Sequence, residues 1–405
     1  MKYVSTRGEA PELDFRGVLL AGLASDGGLY VPDETPMLPD GWEDWSYQQS
    51  ITGSLSLFGA EDVAAVVGEA ATRFSRPETA PLVEVGDRMV FELFWGPTLS
   101  FKDHALQVLA RLFDRELSSP ATVLGATSGD TGSAAIEACR GRANLRIVIL
   151  YPDGKVSEFQ RRQMTTVEDE NVMAVAVDGT FDDCQAMVKS AFLRHEGLLA
   201  FNSINWARIA AQAGYYIYLA ARIGQPFDVV VPTGNFGNVF SSWLARRMGA
   251  PIETITIANN TNHGLANLIN TGAMGDGEVE ATLAPAMDVA VPSNLERLTG
   301  DPSIEFRAGF ADDDQIRETI SEVDRRHGYL LDPHTAAAWF VGDQTAGDRI
   351  QVVVGTAHPG KFVDAVEQAV GRRPDPPLGF EVLADKPERS IRIADDPSEL
   401  DRLIH

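Results

Sequence analysis

The chain predicts an α/β fold with mainly parallel strands, and three observations carry that expectation. From about residue 120 onward, short β-branched runs alternate with stretches of helical apolar spacing, the pattern of parallel strands joined by crossover helices. Three of these strand-like runs end directly in glycine-containing turns that open helices. Residues 1 to about 95 interrupt the pattern with turn-rich segments such as Asp26-Gly27-Gly28 and Pro36-Met37-Leu38-Pro39, as a separate cap or subdomain would.

Taken in order, the first helix candidate runs over residues 62–74 and the next over 103–117, where apolar side chains recur at three- and four-residue intervals. Strands are expected over 121–125, 145–151, 172–177, 227–232, 252–258 and 350–355, each rich in valine or isoleucine and followed or preceded by helical spacing. The plainer intervening helices are 181–195, 206–223, 314–327 and 361–370, with shorter ones opening at 133 and 239. Residues beyond the Pro374-Asp375-Pro376-Pro377 break are expected at the periphery. The predicted division is 1–95 for the cap, 96–200 for a smaller α/β domain and 201–405 for a larger one. There is no internal repeat or low-complexity tract.

A chain of 405 residues that is 44% hydrophobic and 23% charged is long enough to bury a sizeable core. Its net charge of -24 sets up a field that repels a phosphate backbone or an anionic bilayer, so neither nucleic acid nor membrane is an expected partner. An anionic ligand would have to be drawn in by local donors. Cys139 and Cys184 are the only cysteines, without metal-ligand spacing, and the first residues lack a secretory apolar segment; a cytoplasmic location and no metal are expected. His263, His334 and His358 are isolated and are assigned capping or packing.

Lysine is scarce, six against 28 arginines, so a lysine within Phe94-Trp95-Gly96-Pro97-Thr98-Leu99-Ser100-Phe101-Lys102-Asp103 calls for a reason. Guanidinium stays protonated, whereas a desolvated amine can lose its proton and attack a carbonyl. Lys102 is therefore a candidate Schiff-base lysine, against the alternative of a side chain that lays its stem on apolar surface and its head in water.

The three strand-to-helix turns present free backbone N–H groups suited to anions. Gly125-Ala126-Thr127-Ser128-Gly129-Asp130-Thr131-Gly132 offers hydroxyls and amides fit for a carboxylate, or else a helix capped by Ser128 or Asp130. Thr233-Gly234-Asn235-Phe236-Gly237-Asn238 combines close backbone approach with side-chain donors and reads as a phosphate cradle, while lacking the Walker and dinucleotide signatures. Gly355-Thr356-Ala357-His358-Pro359-Gly360-Lys361 puts the Thr356 hydroxyl at a strand's end, where ligands collect in open α/β sheets.

On these motifs the chain resembles the threonine synthase family, pyridoxal-phosphate enzymes of the tryptophan-synthase-β-like fold. The similarity rests on the Glu92 to Asp103 segment, Thr127-Ser128-Gly129-Asp130-Thr131-Gly132, Tyr151-Pro152-Asp153-Gly154-Lys155, Asn202-Ser203-Ile204-Asn205-Trp206-Ala207-Arg208, the Gly234 to Asn238 loop and Gly355-Thr356-Ala357-His358-Pro359. It extends to Asp26-Gly27-Gly28-Leu29-Tyr30-Val31-Pro32 and Tyr329-Leu330-Leu331-Asp332-Pro333-His334-Thr335, and so covers nearly the whole chain. Trp95 departs from the histidine common in the family, which bears on substrate fit, and Asn259-Asn260-Thr261-Asn262-His263 only approximates the usual asparagine-rich loop.

The resemblance implies two open, mainly parallel twisted sheets with flanking helices, the type II pyridoxal-phosphate fold, plus an N-terminal subdomain. It implies conversion of O-phospho-L-homoserine and water to L-threonine and phosphate by a monomer or homodimer. Lys102 would hold pyridoxal 5′-phosphate covalently and then move protons, Gly234, Asn235, Phe236, Gly237 and Asn238 would take its phosphate, Thr356 its ring nitrogen, and Asp130 would approach its 3′-oxygen. Ser128 and Thr131 would bind the substrate carboxylate, and Asn202, Ser203, Arg208 and Lys155 its phosphate, the last two being surface charges on the plainer view. Two other functions share parts of this pattern: a related lyase such as a threonine or serine dehydratase, and a catalytically silent ligand-binding relative.

Overall fold

Strands that are apolar on both sides need cover on both sides, and Phe227–Pro232, buried at every position, shows the consequence: a parallel sheet between layers of helices. The computed structural model describes residues 1–275, 278–298, 302–377 and 380–404. Among them the strands in chain order are β1 Tyr3–Ser5, β2 Tyr30–Pro32, β3 Leu82–Val85, β4 Arg88–Glu92, β5 Ala121–Ala126, β6 Leu145–Pro152, β7 Val172–Asp178, β8 Leu198–Leu199, β9 Phe227–Pro232, β10 Ile252–Asn259, β11 Arg307–Phe310, β12 Ile350–Gly355 and β13 Ile391–Ala394. They form a six-stranded sheet in the order β11-β10-β9-β12-β4-β3, a five-stranded sheet in the order β13-β7-β6-β5-β8, and the small antiparallel pair β1-β2. Only β3 runs antiparallel in the larger sheets.

The expected strands and helices lie where the apolar spacing puts them, with ends displaced by up to three residues; helices form over Ala64–Ala71, Lys102–Glu116, Phe181–Arg194, Trp206–Ile223 and Asp313–His327. Local chemistry explains several starts. Thr180 with Asp183 and Asp312 with Gln315 make reciprocal capping boxes, and Gly224 and Gly328 end their helices in the left-handed region. The helix Pro333–Thr345 escapes the periodicity because it is buried on most sides and has no single apolar stripe.

Sheet membership does not follow the sequence division at 95 and 200. The hairpin β3-β4, placed in the cap by that division, pairs through β4 with β12 in the six-stranded sheet. At the other end β13 pairs with β7, so the tail after the proline break supplies the edge strand of the five-stranded sheet, and its helix Pro397–Ile404 packs on Phe181–Arg194. A single strand has too little sequence to announce which sheet it joins. No helix among the described residues is long and apolar enough to cross a membrane.

The helix Trp206–Ile223 is the spine of the large core and packs closely along Tyr47–Leu57 of the N-terminal region. Gly214 permits that approach, since a Cβ there would lie 2.7 Å from the Ile51 Cα. Gly214→Ala is expected to destabilise the fold by about 1–3 kcal/mol, the usual range for overpacking, as read by the midpoint of urea unfolding.

Candidate active site

Lys102 opens its helix at the C-terminal edge of β12, held there by backbone rather than by a side-chain cap. The Phe101 N–H donates to the Thr356 carbonyl at 2.9 Å and the His358 N–H to the Leu99 carbonyl at 3.1 Å, fastening the turn before Lys102 to the turn after β12. Within that turn the Asp103 carboxylate accepts from the Thr98 N–H and hydroxyl, both at 2.8 Å. Burial pushes the Asp103 carboxyl up to about 6, with the Thr98 donors and Lys361 pulling the other way.

Lys102 is buried, its side chain 9% exposed, which leaves no long stem with its head in bulk water. Its Nζ lies 3.3 Å from Asp130 Oδ2, while Lys361 Nζ lies 2.7 Å from Asp130 Oδ1 and donates to the Thr98 carbonyl at 2.8 Å. Gln160 Nε2 adds a donor to Asp130 Oδ1 at 2.9 Å. Burial alone would raise the Asp130 carboxyl, but Lys361 and Lys102 outweigh it and hold it below the usual carboxylate range. Lys102 moves in the opposite sense to a well-paired lysine. Burial lowers it first, Lys361 and Arg208 lower it further, and Asp130, shared with Lys361, recovers only part. Lys361 and Asp130 thus form the settled ion pair, and Lys102 is the group prepared to give up its proton.

Asp130 is placed by the glycine turn ahead of it. Gly129 has φ 148°, and a Cβ there would meet the Gln160 amide at 2.5 Å, so only glycine lets Gln160 close over Asp130. The side chain that caps the turn is Thr127, whose hydroxyl accepts from the Gly129 and Gly132 N–H groups, each at 2.9 Å. Neither Ser128 nor Asp130 caps the helix: Ser128 is exposed, Thr131 is half-buried, and Asp130 is spent on the lysines.

The Thr233 to Asn238 turn follows β9 and starts the eleven-residue helix Gly237–Arg247. Phe236 carries the backbone through the left-handed region at φ 65°; a Cβ on Gly234 would lie 2.3 Å from the Ala286 carbonyl oxygen. The buried Asn238 accepts at Oδ1 from the Tyr215 and Tyr216 hydroxyls, at 2.5 and 2.9 Å. That fixes the amide and leaves Nδ2 with no partner among the described residues. Asn294, which the motifs do not reveal, ties two loops together by donating to the carbonyls of Asn235 and Ser203, both at 3.1 Å. Asn202 turns its Oδ1 to the Ile204 N–H at 3.2 Å. An orphaned amide beside a helix start suits a phosphate, so these residues fit the cofactor that the buried amine calls for.

Arg208 is 4% exposed, so it is not a surface charge; its Nη1 has no partner among the described residues, and burial lowers it to about 10. Lys155, by contrast, is exposed and acts on Asp183, as a surface charge does. Trp95 donates to Glu92 at 2.6 Å and lies under Arg76, beside the His358 ring. His358 caps the next turn by accepting from the Gly360 N–H at 3.0 Å, and burial lowers its imidazole to about 4. His334 bridges Asp332 and the Ala286 N–H, bracing the segment behind Gly234. Lys361 is the main site residue missed by the motifs, although the same scarcity of lysine that singled out Lys102 applies to it.

A buried amine beside the C-terminal end of β12, with a phosphate-ready turn at the end of its neighbour β9, defines a pyridoxal-phosphate enzyme of the open α/β type. Comparison with known proteins agrees. Residues 92–354 match the pyridoxal-phosphate dependent enzyme model, 2–66 the threonine synthase N terminus and 335–404 the threonine synthase C-terminal model. The threonine synthase of Pseudomonas aeruginosa is 41% identical over 99% of this chain and 96% of its own. A pyridoxal-phosphate-bound threonine synthase structure from Brucella melitensis superposes with a TM-score of 0.95 at 40% identity, covering 100% of this chain and 98% of that one. A threonine deaminase from Solanum lycopersicum, at 16% identity, shares only the fold, with a TM-score of 0.61 over 84% of this chain and 93% of its own. The chain belongs to the threonine synthase family.

Replacing Lys361 with methionine removes one cation from Lys102 and frees Asp130 to pair with it, and both changes favour the ammonium. Lys361→Met should therefore raise the pH midpoint for loading pyridoxal phosphate onto Lys102 toward the ordinary lysine value, followed by absorbance and by peptide mass after borohydride reduction. The same variant should weaken the acid-side stability that Asp130 supplies. That contribution is fully present above the ordinary carboxylate range and is lost as pH falls from there toward Asp130's lowered value.

Proposed function

We propose that this chain is a threonine synthase that converts O-phospho-L-homoserine and water to L-threonine and inorganic phosphate, acting as a carbon–oxygen lyase with Lys102 as its catalytic amine. The single observation that carries the substrate assignment is Arg208, a guanidinium 4% exposed whose Nη1 has no partner among the described residues. Buried cations without counter-ions are costly, and a phosphorylated amino acid would supply what is missing.

When bound, pyridoxal phosphate supplies an electron sink for the carbons next to the substrate amine. The protein's residues do the rest. Lys102 would anchor the cofactor and, with its amine free, would be the group that moves protons at Cα, Cβ and C4′. Its depressed basicity, set by burial, Lys361 and Arg208, favours the neutral amine that can accept them. Gly234, Asn235, Phe236, Gly237 and Asn238 hold the cofactor phosphate with backbone N–H groups and the free Asn238 Nδ2. Thr356 would offer its hydroxyl to the ring nitrogen. Asp130 bonds both lysines and would be the group toward the 3′-oxygen.

Ser128 and Thr131 take the substrate carboxylate, and Arg208 with Asn202 and Ser203 orients the phosphate before and after it departs. Lys155, exposed, contributes at most to attraction from solvent. A dehydratase acting on an unphosphorylated amino acid would leave Arg208 unmatched, and a silent relative has no use for a buried amine of lowered basicity. The two buried free cysteines suit a reducing cytoplasm, and the protein works as a monomer or homodimer.

Phosphate release together with threonine formation from O-phosphohomoserine tests this function. Lys102→Ala should lower kcat by about 10³-fold or more. Arg208→Gln should raise KM for the phosphorylated substrate by about 30-fold or more, the equivalent of about 2 kcal/mol, with cofactor loading retained. Ammonia release from threonine outpacing phosphate release, or an unchanged KM in the Arg208 variant, would contradict the assignment.

A further inference from the structure

Outside the Lys102 cleft, a second cavity of about 620 Å³ opens beside the helices Ala64–Ala71, Lys102–Glu116 and Asp130–Cys139. Arg73, Arg111, Arg140 and Arg142 line it, facing Glu69, Glu137 and Asp169. Four cations against three carboxylates leave the cavity positive in a chain whose net charge is -24. Its carboxylates are already engaged: Glu69 with Arg111 and Arg142, Glu137 with Arg73 and Arg140, and Asp169 with Arg140.

An independent feature sits on the cavity wall. Gln107 is 1% exposed, and its Oε1 accepts from Arg111 Nη1 at 2.8 Å, which fixes the direction of the amide. Its Nε2 then has no hydrogen-bond partner among the described residues. A buried donor left unmade costs free energy that an acceptor would return. Arg111 beside it is also buried, and burial lowers its guanidinium to about 10.

We propose that this cavity binds a small oxyanion, a phosphate or carboxylate group, at a site separate from the Lys102 cleft, with Gln107 Nε2 and the arginines as its donors. The walls suggest the consequence of binding. Gln107 and Arg111 stand on the helix that Lys102 begins, and Glu137 on the helix that Asp130 begins. An anion drawing these two helices together would alter the Lys102–Asp130 separation of 3.3 Å. That regulatory consequence rests on the function proposed for Lys102; the binding itself does not.

Isothermal titration of the pyridoxal-phosphate-loaded enzyme, with inorganic phosphate in one arm and succinate in the other, tests the binding. Phosphate is expected to occupy two sites, one lost in Arg208→Gln and the other weakened about tenfold or more in Arg142→Gln, whose turnover at low anion concentration stays at the parent level. Gln107→Glu, which places a carboxylate next to Arg111, should abolish the second site without disturbing the fold, and the melting temperature of each variant guards against loss of the site by unfolding. Succinate binding that is sensitive to Arg142 but not to Arg208 would assign the site to carboxylates as well. One phosphate equivalent in total, lost with Arg208 and indifferent to both cavity variants, would overturn the proposal whatever the enzyme's reaction proves to be.

Discussion

One carboxylate, Asp130, stands between two buried lysines, and the site is organised around that arrangement. A lone buried ammonium would be expelled or neutralised, and a lone buried carboxylate likewise. With Lys361 at 2.7 Å and Lys102 at 3.3 Å, Asp130 satisfies one amine firmly and the other loosely. The asymmetry separates their positions: Lys361 holds Asp130 closely and also secures the Thr98 carbonyl, and Lys102 is the looser partner, its basicity lowered by burial. Had Asp130 paired equally closely with Lys102 alone, the amine would be a stabilised cation and a poor nucleophile.

The sheets matter because they bring these residues together from distant parts of the chain. Lys102 follows a turn fastened to the end of β12, Asp130 follows β5 in the other sheet, and Lys361 returns just after β12. Parallel strands place all their C-terminal ends on one side, so turns from two sheets can converge on one crevice. The left-handed residues at Leu99 and Phe236 lie in two of those turns, where local backbone cost is borne by the strands and helices on either side.

How legible this was in the sequence depended on whether a feature was local. The strands β9 and β12, with both faces buried, the β-branched run of β5 and the long amphipathic helices wrote themselves into the periodicity, and so did the glycine turns between them. Lys102 could be picked out because its neighbours in sequence are also its neighbours in space. Lys361 could not be assigned that way: its partner Asp130 is remote in sequence, and only their juxtaposition across the two sheets gives it a role. Asn294 was hidden for the same reason, since it bonds the carbonyls of Asn235 and Ser203 rather than anything near it in the chain. The helix Pro333–Thr345 and the short strands β3, β4 and β13 were lost to burial without a stripe and to brevity. Arg208 and Lys155 looked alike as letters and separated only by exposure.

The charge distribution finally links stability to function. The chain as a whole is strongly acidic, yet Lys102 and Lys361 share the Asp130 carboxylate, and Arg208 is buried with its Nη1 unpartnered among the described residues. The unpartnered Arg208 Nη1 and Asn238 Nδ2 are donors whose hydration is lost on folding and not returned by the protein itself. Any anion that binds the folded state and not the unfolded chain gives that free energy back in proportion to its concentration over its dissociation constant. The polypeptide therefore carries, as a deficit in its own core, donors of the kind that the proposed binding of phosphate would satisfy. Filling the crevice with neutral, well-packed side chains would make a more stable protein with nothing left to bind.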